Sequence, residues 1–236
     1  MNKDRIIVAL DVDSEEKAFE LVKKLAGEVG AFKVGLELFN ATGPKIFGKL
    51  KAAGAENIFY DAKFHDIPNT VAGAVRVATR FGIWMVNVHT TGGAAMMRAA
   101  AEAALNEAEK LGIDAPKIIG VTVLTSISTM MLSEELRIAS GLVNHVVHLS
   151  EMAKSAGLDG VVASPNETRY IREACGPNFL IVTPGVRPTG ADIGDQKRVM
   201  TPAEASRAGA SYLVIGRPIT RAEDPVSAAR AIAAEL

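Results

Sequence analysis

One pattern limits this chain more than any other. Short apolar runs alternate with amphipathic stretches, most of which end at glycine, and the pair recurs eight times at about 30 residues per unit. The runs are "RIIVALD" (5–11), "AFKVGLE" (31–37), "NIFYDAK" (57–63), "WMVNVHTTG" (84–92), "KIIGVTVLTS" (117–126), "LDGVVASP" (158–165), "FLIVTPGV" (179–186) and "SYLVIGRP" (211–218). Near-continuous apolar runs suit strands covered on both faces, as in a parallel sheet.

The stretches between them carry helix punctuation. Asp13 or Ser14 caps the first helix, which ends at Gly27. Thr42 and Pro44 open a helix closing at Gly54, another runs from about Pro68 to Gly82, and an Ala-rich one ends at Gly112. After the fifth strand comes an extra segment, then an apolar-striped helix over 142–156. Ser164, Pro165 and Glu167 have capping-box spacing, as do Thr201, Pro202 and Glu204, and Asp224 with Pro225 opens the last helix. Eight such units predict an α/β fold of the (β/α)8 TIM barrel kind, with residues 1–236 as one domain. A doubly wound open sheet is the rival; the count of eight and the missing NAD-type glycine fingerprint after the first strand favour the barrel.

Bulk properties exclude several classes of function. A net charge of −1 offers no field for nucleic acid or an anionic membrane. The single cysteine, Cys175, rules out an internal disulfide framework or a cysteine-rich zinc site, and it reads as inert. No apolar stretch is long enough to span a bilayer, and the opening residues do not read as a signal peptide. With 48% hydrophobic residues, the expectation is a soluble, cytoplasmic protein with a substantial core.

In a barrel of this kind the active site lies at the C-terminal ends of the strands. Those ends carry Asp11, Lys33, Asp61 with Lys63, His89, Thr125 with Ser126, Arg187 and Arg217. At least five of these side chains are expected to meet at one mouth. Asp61 and Lys63 are two apart and so face the same side of a strand, and Lys33 can lie beside them. Alternating Asp and Lys keep every charge paired out of water and can aim a protonated lysine as an acid. Gly216 and Arg217, with the polar loop "GVRPTGADIGDQKR" (185–198) that holds Gln196, suit a phosphate: glycine lets backbone N–H approach, and arginine adds a fork of donors. Other features carry little. "TTGGAA" (90–95) lacks the P-loop lysine, and His145 with His148 read as surface imidazoles.

Taken together, "ALDVD", "FKVGLELF", "DAKFHDIPNT", "VTVLTS", "TPGVRP" and "VIGRPI", in that order along nearly the whole chain, resemble the orotidine 5'-phosphate decarboxylase family. The resemblance implies decarboxylation of orotidine 5'-monophosphate to UMP and CO2, the last step of de novo pyrimidine nucleotide synthesis, with no metal and no organic cofactor. It implies that Lys63 protonates C6 of the pyrimidine, with Asp61 near the substrate carboxylate. Lys33 would complete the charge array and reach the ribose, and Asp11 would hydrogen-bond the ribose. Thr125 and Ser126 would contact the nucleotide, and Arg187, Gln196, Gly216 and Arg217 would hold the phosphate side, with 188–198 closing over it. It implies a homodimer in which Asp66, Ile67 and Thr70 act in the neighbouring subunit's site. Two other readings stand beside it: a sugar-phosphate decarboxylase or aldolase of the same superfamily that works on a metal, and a phosphate-ligand-binding protein without turnover.

Overall fold

The computed structural model describes residues 2–188 and 200–236. Eight parallel strands close into a barrel in chain order, each hydrogen-bonded to the next and the eighth to the first. They are β1 (Ile6–Ala9), β2 (Ala31–Val34), β3 (Ile58–Phe64), β4 (Met85–His89), β5 (Lys117–Val121), β6 (Gly160–Val162), β7 (Leu180–Pro184) and β8 (Tyr212–Ile215). Outside run α1 (Glu15–Leu25), α2 (Leu36–Thr42), α3 (Lys45–Ala52), α4 (Pro68–Arg80), α5 (Gly93–Leu111), α6 (Thr129–Glu134), α7 (Leu142–Ser155), α8 (Thr168–Cys175), α9 (Pro202–Arg207), α10 (Arg217–Thr220) and α11 (Pro225–Ala234).

Strand alternation sorts the apolar residues into two cores. Ile6, Val8, Phe32, Val34, Ile58 and Tyr60 point outward and pack under the helices. Ile7, Ala9, Ala31, Phe59, Met85, Ile119, Val182 and Val214 fill the barrel interior. Phe59 is 2% exposed, and its truncation to alanine is expected to cost about 3–5 kcal/mol. This inner layer is the floor of what lies above it. One step of two residues further along the same strands come Asp11, Lys33, Asp61, Asn87, Val121, Pro184 and Gly216. The alternation that buries the floor therefore aims the polar residues at the mouth.

Helix starts follow the expected chemistry at several points. The Ser14 side chain caps α1. A complete capping box forms between Thr201 and Glu204. Asp224 accepts from the backbone N–H groups of Val226 and Ser227 ahead of α11. The Ser164–Glu167 box does not form: 164–167 make a turn in which Ser164 Oγ accepts the N–H of Asn166, and α8 begins only at Thr168. The expected helix over 42–54 is α3, and a further helix that the pattern did not foresee, α2, precedes it, with Gly43 at φ 70 turning the chain between them. Apart from β3, the strands are shorter at their C-terminal ends than the apolar runs, since residues such as Leu10 stay fully buried after the regular ladder stops. The extra segment after β5 holds α6, capped by Ser128. Cys175 is buried at the end of α8, and burial pushes its thiol up, which fits an inert sulfur.

Candidate active site

A cavity of about 410 Å³ opens at the C-terminal end of the barrel. Asp11, Lys33, Asp61 and Lys63 line one side of it. Their charges alternate in an unbroken row. Lys33 Nζ lies 2.8 Å from Asp11 Oδ1 and 3.3 Å from Asp61 Oδ2, and Lys63 Nζ lies 2.6 Å from Asp61 Oδ1. Asn87 Nδ2 donates to Asp61 Oδ1 at 2.7 Å. Burial alone would raise the Asp61 carboxyl. The charges of Lys33 and Lys63, with the hydrogen bonds from Lys63 and Asn87, outweigh it and hold the group below the usual carboxylate range. Burial likewise opposes the charge on Lys33, which is 8% exposed, yet Asp61 and Asp11 raise its pKa above the ordinary value. Asp61 and Lys33 are thus both held charged in a site largely closed to water, where a fixed charge acts more strongly than in bulk solvent.

Lys63 reaches the mouth by an unexpected route. Its backbone is left-handed, at φ 51, inside a register shift between β3 and β4. Its N–H is held by Asn87 Oδ1 at 2.7 Å. A left-handed backbone at a non-glycine residue costs of order 1–3 kcal/mol and persists only where its surroundings enforce it.

Thr125, Arg187, Gly216 and Arg217 also line the cavity. Arg187 is buried just past β7, and its Nη1 donates to Val186 O at 2.9 Å. Gly185, with φ 78, turns the chain between Pro184 and Val186 at this wall, a conformation that favours glycine. Because β8 pairs with β1, Gly216 sits beside Asp11: a Cβ on Gly216 would lie 3.8 Å from Asp11 Oδ2. The cavity therefore holds both an Asp/Lys array and two arginines, Arg187 and Arg217.

Not every expected residue belongs to this wall. His89 does not line the cavity; its ring lies tilted against that of His65 with centroids 5.3 Å apart, and burial first, then the charges of His65 and Lys63, lower its pKa. Ser126 lies beyond the lining residues, next to Thr125. Asp66, Ile67 and Thr70 sit exposed at the head of α4, outside the cavity of this chain, with Ile67 67% exposed. Gln196, and the loop expected to close over phosphate apart from Pro188, lie outside the described residues. Glu37, Leu124, Thr220 and Arg221 also line the cavity and were not foreseen. Among the described residues, no three His, Cys, Asp or Glu side chains gather so as to hold a metal ion.

Residues 4–232 match the family model described as "Orotidine 5'-phosphate decarboxylase / HUMPS family". The chain belongs to this family. Among its relatives is the orotidine 5'-phosphate decarboxylase of Moorella thermoacetica, 59% identical over 234 residues that span 99% of this chain and 92% of that protein. The orotidine 5'-phosphate decarboxylase of Syntrophomonas wolfei is 53% identical over 235 residues, spanning 99% of this chain and 98% of the other. Among solved structures, orotidine 5'-phosphate decarboxylase from Lactobacillus acidophilus superimposes with a TM-score of 0.86 at 39% identity, over 98% of this chain and 97% of that one. Membership in the orotidine 5'-phosphate decarboxylase / HUMPS family and the closed eight-stranded barrel agree with each other. No helix among the described residues is long and apolar enough to cross a membrane.

Proposed function

We propose that this chain decarboxylates orotidine 5'-monophosphate to UMP and CO2, in the last step of de novo pyrimidine nucleotide synthesis, with residues 1–236 acting as one catalytic domain. The observation that carries the reading is the alternating row Asp11–Lys33–Asp61–Lys63 at the mouth of the barrel. The names of the relatives at 53% and 59% identity support the same substrate.

The geometry suits a reaction without an electron sink. Breaking the bond between C6 and the carboxylate leaves an electron pair on C6. Lys63 supplies a positive charge beside that carbon and then donates a proton to it from Nζ, forming the C6–H bond of UMP; the neutral amine is reprotonated from solvent. Asp61 sits near the departing carboxylate, and its own ionisation is secured by Lys33 and Lys63. Lys33 and Asp11 hold the ribose. Thr125 and Ser126 contact the nucleotide, with Ser126 at the base. Arg187, Gln196, Gly216 and Arg217 hold the phosphate, and the energy of that distant contact positions the reacting end. No metal or organic cofactor takes part. Asp66, Ile67 and Thr70 complete the site of a second copy in a homodimer, which gives a purpose to an isoleucine left in solvent at the head of α4.

The loss of orotidine 5'-monophosphate absorbance on adding the purified protein, with and without EDTA, tests this directly. Conversion to UMP that is indifferent to EDTA is the expected result. Well-folded protein that gives no conversion, or conversion that EDTA stops, would overturn it.

A further inference from the structure

Three residues of β3, namely Asp61, Ala62 and Lys63, stand opposite a single residue of β4, Asn87, because the register moves from Tyr60↔Val86 to Phe64↔Val88. A bulge of this kind interrupts the ladder and leaves backbone groups to be satisfied by other means. Asn87, 1% exposed, does this with its side chain. Oδ1 accepts the Lys63 N–H at 2.7 Å, Nδ2 donates to Asp61 Oδ1 at 2.7 Å, and that same oxygen takes the Lys63 ammonium at 2.6 Å. The result is a closed ring of hydrogen bonds that begins at the backbone of Lys63 and ends at its own Nζ.

We propose that Asn87 is a positioning residue for Lys63: its amide locks the left-handed backbone at Lys63 to the Asp61 carboxylate and so fixes where the ammonium points. What Lys63 does from that position rests on the decarboxylase reading above; the lock itself rests on the geometry. An amide is the group required, since it presents one acceptor to an N–H and donors to a carboxylate. Aspartate at this place would keep the acceptor, lose the donor and add a like charge beside Asp61. An apolar residue would leave the Lys63 N–H unsatisfied and release a backbone conformation that needs enforcing.

The test is Asn87→Ala beside Asn87→Asp and the wild type, read as kcat, UMP affinity and the pH profile of kcat. Misplacing a proton donor by about 1 Å costs about 100-fold, so kcat of Asn87→Ala should fall by about that factor while UMP binding changes by less than about twofold. The acid limb of the profile should move to higher pH, because Asp61 has lost a donor, and further still in Asn87→Asp, where a second carboxylate faces it. An unchanged kcat, or equal losses in kcat and UMP affinity with the acid limb unmoved, would overturn the role. Should Asn87→Ala not fold, Asn87→Asp and the wild-type Lys63 amide decide: the amide should be protected from hydrogen exchange, and free exchange refutes the lock. Wild-type protein that leaves orotidine 5'-monophosphate unchanged would count against the function, not the lock, which the same exchange measurement still judges.

Discussion

The ammonium of Lys33 lies 2.9 Å from the point where a Cβ on Gly35 would stand. That point is also 3.4 Å from Asp11 Oδ1, the carboxylate oxygen that Lys33 holds. The glycine after β2 thus leaves room for the first ion pair of the array. Its φ of −96 and ψ of −173 are open to any residue, so backbone strain is not the reason for glycine here. Gly35→Ala should push Lys33 away from Asp11 and lower kcat/KM by about tenfold, with stability changed by about 1 kcal/mol or less. Steady-state kinetics beside a thermal melt would show it; wild-type kcat/KM would mean that Lys33 has slack.

Lys63→Ala removes the proposed acid and leaves the proposed phosphate contacts untouched. Turnover should fall to nearly nothing, while UMP binds with an affinity close to that of the wild type. Titration calorimetry with UMP separates the two effects. If affinity collapsed together with rate, Lys63 would be a binding group rather than the proton donor.

Arg217 also lines the cavity, at the start of α10. Its truncation should act on capture: Arg217→Ala should raise KM for the nucleotide by about 10-fold or more, the range expected for a lost charge-assisted hydrogen bond. The same change should make little difference to a substrate that lacks the phosphate. An unaltered KM for the nucleotide would remove Arg217 from the phosphate site.

Acid stability reports on Asp61. Its folded pKa is depressed, so its contribution is fully present above the unfolded value near 3.9 and is lost as pH falls through the lower folded value. Lys33 has the opposite sign: its folded pKa is raised, so its contribution is complete below about 10.4 and is lost only as pH rises through the higher folded value. Between those limits neither group gives stability a pH slope. Melting temperatures of wild type and Asp61→Asn should therefore differ by a constant amount near neutrality and converge below about pH 4. A gap that stayed constant down to pH 2 would show that Asp61 is not held ionised by its neighbours.

Much of this arrangement is legible in the order of residues, because strand alternation is a strict rule. Once Ile7, Ala31 and Phe59 are taken as inward, Lys33 and Asp61 must be inward too, and the eight-unit repeat then brings them to one mouth. Residues that act through an irregularity are harder to see. Asn87 reads as one polar residue in "WMVNVHTTG", and its importance appears only when the bulge in β3 places Asp61, Ala62 and Lys63 against it. His89 follows Asn87 by two and the same alternation points it at the mouth, but its ring has His65 as a neighbour and does not line the cavity. Glu37 was hidden because it sits in the first turn of α2, a helix that the strand-like run 31–37 conceals, and Arg221 because it lies just past the end of α10, where no period applies.

The proposed homodimer makes a prediction that activity alone can score. Asp66 and Thr70 are exposed outside the cavity of their own chain, whereas Lys63 lines it. If each site draws Lys63 from one subunit and Asp66 from the other, Lys63→Ala and Asp66→Ala homodimers are both impaired. Mixing them creates hybrids in which one site has lost both groups and the other has both intact. With random exchange, half of the dimers are hybrids and half of their sites are restored, so activity should recover to about one quarter of wild type. Refolding the two variants together from denaturant and assaying the mixture provides the count. Activity no greater than the sum of the separate variants would place Asp66 in its own subunit's chemistry, or outside the chemistry altogether.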